Sequence, residues 1–123
     1  MLEEKKRWRL CRDFKKGKFC FLIGVDNWSV ELQKSEFNSL YLLLLKIHKQ
    51  LSDIKDELMD EEFITLELEQ LPWYIELEGK KNEWSLRFVF ESKDQTRSFE
   101  MYWPIPIAQN LFFEIKKMWE SMD

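Results

Sequence analysis

The sequence predicts an α+β fold: two antiparallel β-meanders, each followed by a helix, in the order βββα-ββββα. Three observations carry this expectation. Period-two alternation of apolar and polar residues occurs on both sides of a long helical stripe. A second, shorter helical stripe follows two prolines near the C-terminus. Finally, "DNWSVEL" at 26–32 is echoed by "NEWSLRF" at 82–88, with the two tryptophans 56 positions apart, about half of the 123-residue chain. The echo suggests two related halves, about 6–60 and 61–123, within a single domain spanning 1–123.

The first strand is expected from Trp8 to Phe14, where Trp8, Leu10 and Phe14 alternate with Arg7, Arg9, Cys11 and Asp13, and Arg12 breaks the apolar side. "KKGK" at 15–18 makes a turn, and "FCFLIGV" supplies the second strand. Asp26-Asn27 then closes a two-residue hairpin into "WSVEL", because Asp and Asn tolerate positive φ. Pairing Val25 with Trp28 also pairs Ile23 with Val30 and Phe21 with Leu32, so one apolar face runs across both strands.

Ser35 and Glu36 form a plausible helix start, a capping hydroxyl followed by a carboxylate that suits the positive end of the helix dipole. Phe37, Leu40, Leu44, Ile47, Leu51, Ile54 and Leu58 follow at alternating spacings of three and four, which describes a helix of about six turns. Tyr41, Leu42, Leu43 and Leu45 widen the stripe, so this half should be covered by a sheet and a second element. A coiled coil is the rival reading; three heptads lying between strands favour packing on a sheet.

From Phe63 the period returns to two. "FITLELEQ" and "WYIELEG" place Ile64, Leu66, Leu68, Ile75 and Leu77 on one face and Glu67, Glu69, Glu76 and Glu78 on the other, with Pro72 in the turn between them. "GKKN" leads into "WSLRFVFE", with Leu77 expected opposite Trp84, Ile75 opposite Leu86 and Trp73 opposite Phe88. "SKDQT" is a loop before "RSFEMYW". Pro104 and Pro106 then introduce the last helix, whose face is marked by Ala108, Phe112, Ile115 and Trp119.

A chain of this length buries roughly two-thirds of its unfolded surface, and six Trp with ten Phe supply large apolar side chains for a core. The longest apolar run, "LYLLLL" at 40–45, falls far short of the ~20 residues of a membrane helix. The N-terminus carries no apolar secretory core. A cytoplasmic protein without membrane contact is expected, its Cys11 and Cys20 reduced. Net charge is −4, unevenly spread: residues 1–18 carry +5, residues 61–79 carry −6.

The segments "WRL" at 8–10, "FLIGVDNWSVEL" at 21–32, "LMDEE" at 58–62, "LELE" at 66–69, "IELEG" at 75–79 and "WSLRF" at 84–88 resemble a small family of cyanobacterial proteins catalogued only as a domain of unknown function. The resemblance covers most of the chain and carries no assigned activity. It implies a fold similar to the Whirly type of single-stranded-DNA-binding transcriptional regulators, with two meander-plus-helix halves. Lys16, Gly17 and Lys18 match a Lys-Gly-Lys core found in the DNA-binding strand of Whirly proteins, although the following "FCFL" departs from that motif.

Two functions of different class follow. The basic first segment offers Arg7, Arg9, Lys15, Lys16 and Lys18 to single-stranded nucleic acid, where cations displace counterions from phosphate and exposed rings stack on bases. Alternation, however, puts Trp8 and Phe14 on the apolar side. The second function is protein interaction or assembly, with Glu67, Glu69, Glu76 and Glu78 docking a basic partner, or the basic end of another copy; Lys80, Lys81 or Arg87 could neutralise some of them. No enzyme motif is found. The single histidine, His48, lies beside the helical stripe with no nucleophile paired to it by a local motif, and three glycines leave little room for a phosphate-cradling loop. No cofactor or metal is expected.

Overall fold

The computed structural model describes residues 2–4, in backbone alone, and 7–122. The order read from the sequence is present: β2 (Trp8–Arg12), β3 (Phe21–Val25), β4 (Trp28–Leu32), α1 (Lys34–Ile54), β5 (Ile64–Gln70), β6 (Trp73–Lys80), β7 (Glu83–Glu91), β8 (Ser98–Trp103) and α2 (Ile107–Glu120). A short strand, β1 (Leu2–Glu4), pairs with β2 and adds an edge to the first meander. The two antiparallel sheets run β1-β2-β3-β4 and β5-β6-β7-β8.

The first hairpin has the register expected, with Val25 opposite Trp28, Ile23 opposite Val30 and Phe21 opposite Leu32. Asp26 takes the positive φ (52°) that the two-residue turn needs. Three details differ from expectation. The first strand ends at Arg12, and Phe14–Lys16 form a 3-10 turn whose N-terminal N–H of Lys15 is accepted by the Asp13 carboxylate. This carries Phe14 off the apolar face. The helix begins at Lys34, with Ser35 inside its first turn; Glu36 does the capping by accepting the backbone N–H of Gln33 at 2.9 Å. At the other end Leu58 lies beyond the helix, which stops at Ile54 and is followed by a 3-10 turn over Lys55–Glu57.

The second hairpin is shifted by two residues from the expected pairing. Gly79 faces Trp84, Leu77 faces Leu86, Ile75 faces Phe88 and Trp73 faces Phe90. Strand β6 runs on through Lys80, leaving Lys81-Asn82 as the turn. Gly79 permits this: its φ is +146°, and a Cβ there would lie 2.5 Å from the Glu83 carbonyl oxygen. A two-residue slip preserves facing, so the expected apolar face is the real one; a one-residue slip would have inverted it. The repeated tryptophan phrases also prove non-equivalent. "WSVEL" is the fourth strand of its sheet, whereas "WSLRF" lies in the third of the other. Their likeness reflects hairpin position alone.

The helix of the first half packs on the sheet of the second. Helix α1 lies against β5 and β6, while α2 bridges β7 and β2 and touches α1. Phe37 of α1 stacks on Phe21 of the first sheet at 4.1 Å and meets Trp119 of α2 at 5.9 Å. Leu40, Tyr41, Leu43, Leu44, Ile47 and Leu51 are buried as expected, whereas Leu42, expected on the covered part of the stripe, is 43% exposed. One continuous apolar cluster thus includes both sheets and both helices.

Polar bonds at the N-terminus of α1 join the halves. Trp73 of β6 donates its indole N–H to the Glu36 carbonyl at 3.0 Å. Arg97, on the β7–β8 loop, donates to the Glu36 carboxylate at 2.8 Å and to the Glu31 carbonyl of β4 at 2.8 Å. Its guanidinium also sits 4.6 Å from the Phe19 ring centroid and 5.3 Å from that of Phe90. Replacing Arg97 by Ala strands a nearly buried carboxylate and a carbonyl at once. The expected cost is about 2 kcal/mol, discounted for the partial exposure of Arg97, read as a lower urea midpoint with unchanged m-value.

Candidate nucleic-acid interface

The five cations singled out from the sequence fall into two groups. Arg7, Arg9 and Lys16 are engaged within the protein. Arg7 grips Asp26 through two hydrogen bonds of 2.8 and 2.9 Å, and that bond holds the Asp26 carboxyl below its ordinary range. Arg9 lies across the outer face of the first sheet, donating to the carbonyls of Asp26 (3.1 Å) and Trp28 (2.8 Å). It covers Gly24, where an added Cβ would come 2.4 Å from the guanidinium. Lys16 pairs with Glu31. These contacts fix the β3–β4 hairpin against β2 and tie the 3-10 turn to β4.

Lys15 and Lys18 are exposed, and among the described residues no carboxylate pairs with them. They project from the β2–β3 connection, at the end of the first sheet where β4 also passes into α1. Two clefts open there. One, of about 270 Å³, is lined by Arg12, Phe14, Lys34, Ser121 and Met122. The other, of about 290 Å³, has Lys18 and Lys93 on its border and Gln33, Ser35, Glu36 and Ser39 among its lining. Lys34 and Lys93, like Lys15 and Lys18, are exposed and have no carboxylate partner among the described residues.

Phe14 is 55% exposed, a correction to its expected place on the apolar side. Its ring is steadied by an edge-to-face contact with Phe21 (5.9 Å). It is flanked by the Arg12 guanidinium at 5.7 Å and the Lys34 ammonium at 5.8 Å. Trp8, by contrast, is buried as expected. Extrapolating the alternation past Arg12 hid Phe14, and Lys34 and Lys93 were missed because nothing local in their sequence says that the start of α1 and the β7–β8 loop converge on the β2–β3 connection.

The glutamate face exists as expected on the outer side of the second sheet. Glu67 and Glu76 are directly opposed in the β5–β6 ladder, an arrangement that like charge alone would disfavour. The Tyr74 hydroxyl lies between them, donating to Glu67 at 2.6 Å with Glu76 3.2 Å away. The bond to Glu67, then burial, then Glu76 push the phenol above its ordinary pKa. Arg87 completes the neutralisation, 3.6 Å from both Glu76 and Glu100 and stacked over Tyr74. Lys80 and Lys81 turn instead to Glu61 and Asp60. Among the described residues, Glu69 and Glu78 have no cationic partner. No group of three or more His, Cys, Asp or Glu among the described residues could hold a metal ion.

His48 sits on the side of α1, its ring stacked on Phe112 at 4.6 Å and edge-on to Trp84 at 6.4 Å. Burial, then Lys116 and Lys55, hold its pKa below 6.5. It reads as a boundary residue packed in its neutral form. No helix is long and apolar enough to cross a membrane, and Cys11 and Cys20 are both unpaired.

A family model described as a domain of unknown function, DUF1818, matches residues 3–118. No curated protein matches the chain. Among solved structures it is similar to a protein of unknown function from Prochlorococcus sp. NATL2A, described as of the DUF155 family. That protein is 34% identical, with a TM-score of 0.90 over 97% of this chain and 98% of the other. The close structural match supports the two-sheet, two-helix architecture and brings no activity with it.

Two measurements check the electrostatics. Tyr74→Phe, which leaves Glu67 and Glu76 opposed without the hydroxyl between them, should destabilise by about 1 kcal/mol at pH 7, read as a lower urea midpoint. The His48 contribution has the opposite dependence to a gained ion pair. The unfolded chain binds a proton near pH 6.5 that the folded chain refuses, so stability is full above 6.5 and declines as pH falls toward the lowered folded value. The urea midpoint of His48→Gln should therefore fall less than that of the natural protein between pH 7.5 and 5.5.

Proposed function

We propose that this chain, which belongs to the DUF1818 family, is a non-enzymatic binding module for single-stranded nucleic acid. One observation carries the reading: unpaired cations and an exposed aromatic ring share one end of the first sheet. Lys15, Lys18, Lys34 and Lys93 have no carboxylate partner among the described residues, and Phe14 stands between Arg12 and Lys34. Cations spaced along a groove follow a phosphate backbone by releasing counterions, and a ring in their midst accepts a base whatever its identity. The resemblance to Whirly-type regulators supports the same reading, although of the cations first singled out only Lys15 and Lys18 carry it, joined by Lys34 and Lys93. Arg7, Arg9 and Lys16 brace the site, while Lys15 and Lys18 remain available to phosphate.

A second reading uses the acidic outer face of the second sheet as a dock for a basic protein partner. Glu69 and Glu78, unpaired among the described residues, and the half-exposed Tyr102 favour it. Carboxylates there oppose phosphate, so the two readings use different surfaces and separate cleanly by mutation.

The test is fluorescence anisotropy of labelled single- and double-stranded oligonucleotides over a salt series. Single-strand-selective binding is expected, with log K falling against log salt at a slope near about −3 for four phosphate contacts. Reversing Lys15, Lys18, Lys34 and Lys93 to Glu should abolish it, whereas Glu67, Glu69, Glu76 and Glu78 to Gln should leave it intact. Absence of binding at low salt would sink the nucleic-acid reading. Loss of a basic partner's binding on the Gln substitutions would then favour the second.

A further inference from the structure

We infer that the cleft between Phe14 and the end of α2 receives one unpaired nucleobase, stacked on the Phe14 ring. This rests on the nucleic-acid reading above and goes beyond it, because electrostatic tracking of a backbone needs no such pocket. The cleft is closed on one side by Phe14 and on the other by Ser121 and Met122, which follow the last turn of α2. At about 270 Å³ it lies just under the range of sites for drug-sized ligands, so it suits a single planar heterocycle and not a stacked run of bases.

The surroundings of the ring select the occupant. Phe14 is held from behind by Phe21 and by the 3-10 turn, so stacking on it costs little ordering. The groups flanking it are Arg12 and Lys34, both cationic, instead of the apolar neighbours that would surround an anchor for another protein's core residue. A ligand combining a flat aromatic ring with an adjacent negative charge meets both features, and a nucleotide unit within a strand is such a ligand. The Arg12 guanidinium donates to the Met118 carbonyl at 3.4 Å, which fixes its positive charge beside the Phe14 ring. The Lys34 ammonium, on an exposed flexible stem, can leave the ring for the phosphate of the same nucleotide. Ser121 already donates its hydroxyl to Met118, so its oxygen retains acceptor capacity toward a base edge.

The experiment compares the natural protein with Phe14→Ala and Phe14→Trp, using labelled oligothymidylate and an abasic oligonucleotide of equal length and charge. Phe14→Ala should weaken binding of oligothymidylate by ~5- to 150-fold, the equivalent of one stacked base, with the salt slope unchanged. Phe14→Trp should restore it, and the natural protein should bind the abasic strand no better than Phe14→Ala binds oligothymidylate. Equal affinity of the natural protein for both strands would overturn the inference and leave the nucleic-acid reading standing. So would full binding by Phe14→Ala, with its fold verified by circular dichroism. No binding of either strand by the natural protein would defeat both.

Discussion

The arrangement of this molecule depends on one residue, Glu36, at the start of α1. Its carboxylate caps the helix through the Gln33 N–H and pairs with Arg97, while its carbonyl accepts the Trp73 indole. Four separate parts of the chain meet there: the exit of β4, the first turn of α1, the first residue of β6 and the β7–β8 loop. Any antiparallel meander can fold on its own helix. This junction instead directs α1 onto the second sheet, and it works because the carboxylate is nearly buried and fully occupied. A cap, an ion pair and an indole bond at one residue are mutually reinforcing, since each orders the groups the others require.

Large aromatic side chains do the complementary work. Trp73 and Trp103 are fully buried, and Phe21, Phe37, Phe88 and Phe90 carry the contact between layers. Rings fill the space between two small sheets with few residues, which suits a chain of this length. The indole N–H of Trp73 has its partner in Glu36; that of Trp103 is buried without one among the described residues. The difference shows which tryptophan orients the halves and which only fills.

Much of the architecture was legible because alternation and helical stripes are written directly into residue type. The Val25–Trp28 register follows from apolar matching across a two-residue turn, and nothing competes with it. The second hairpin was misjudged because "GKKN" permits two registers that keep the same face, and only the close approach of Gly79 to Glu83 and Trp84 decides between them. Phe14 was misplaced for a related reason: periodicity cannot announce where a strand stops, and the Asp13 side chain stops it by capping the following turn. The candidate site was less legible still. Whether a cation is free depends on where carboxylates land in three dimensions, and Asp26 and Glu31 neutralise Arg7 and Lys16 across a hairpin.

The same junction that joins the halves bears on the basic end of the first sheet. Glu36 lies in the floor of the cleft bordered by Lys18 and Lys93, where an uncompensated carboxylate would repel an anionic strand. Arg97 and the Gln33 N–H take up its two oxygens, so the charge is spent on folding and not presented to a ligand. Asp94, which also lines this cleft, has no cationic partner among the described residues and stays anionic. Hydrogen bonds from Thr96 and Ser92 hold its pKa at about 2 and engage one carboxylate oxygen within the loop. Glu31 and Glu36 at this end are paired with Lys16 and Arg97, while Lys15, Lys18, Lys34 and Lys93 have no carboxylate partner among the described residues. Internal pairing of Glu31 and Glu36 thus leaves cations in excess at this end of a chain whose overall charge is negative.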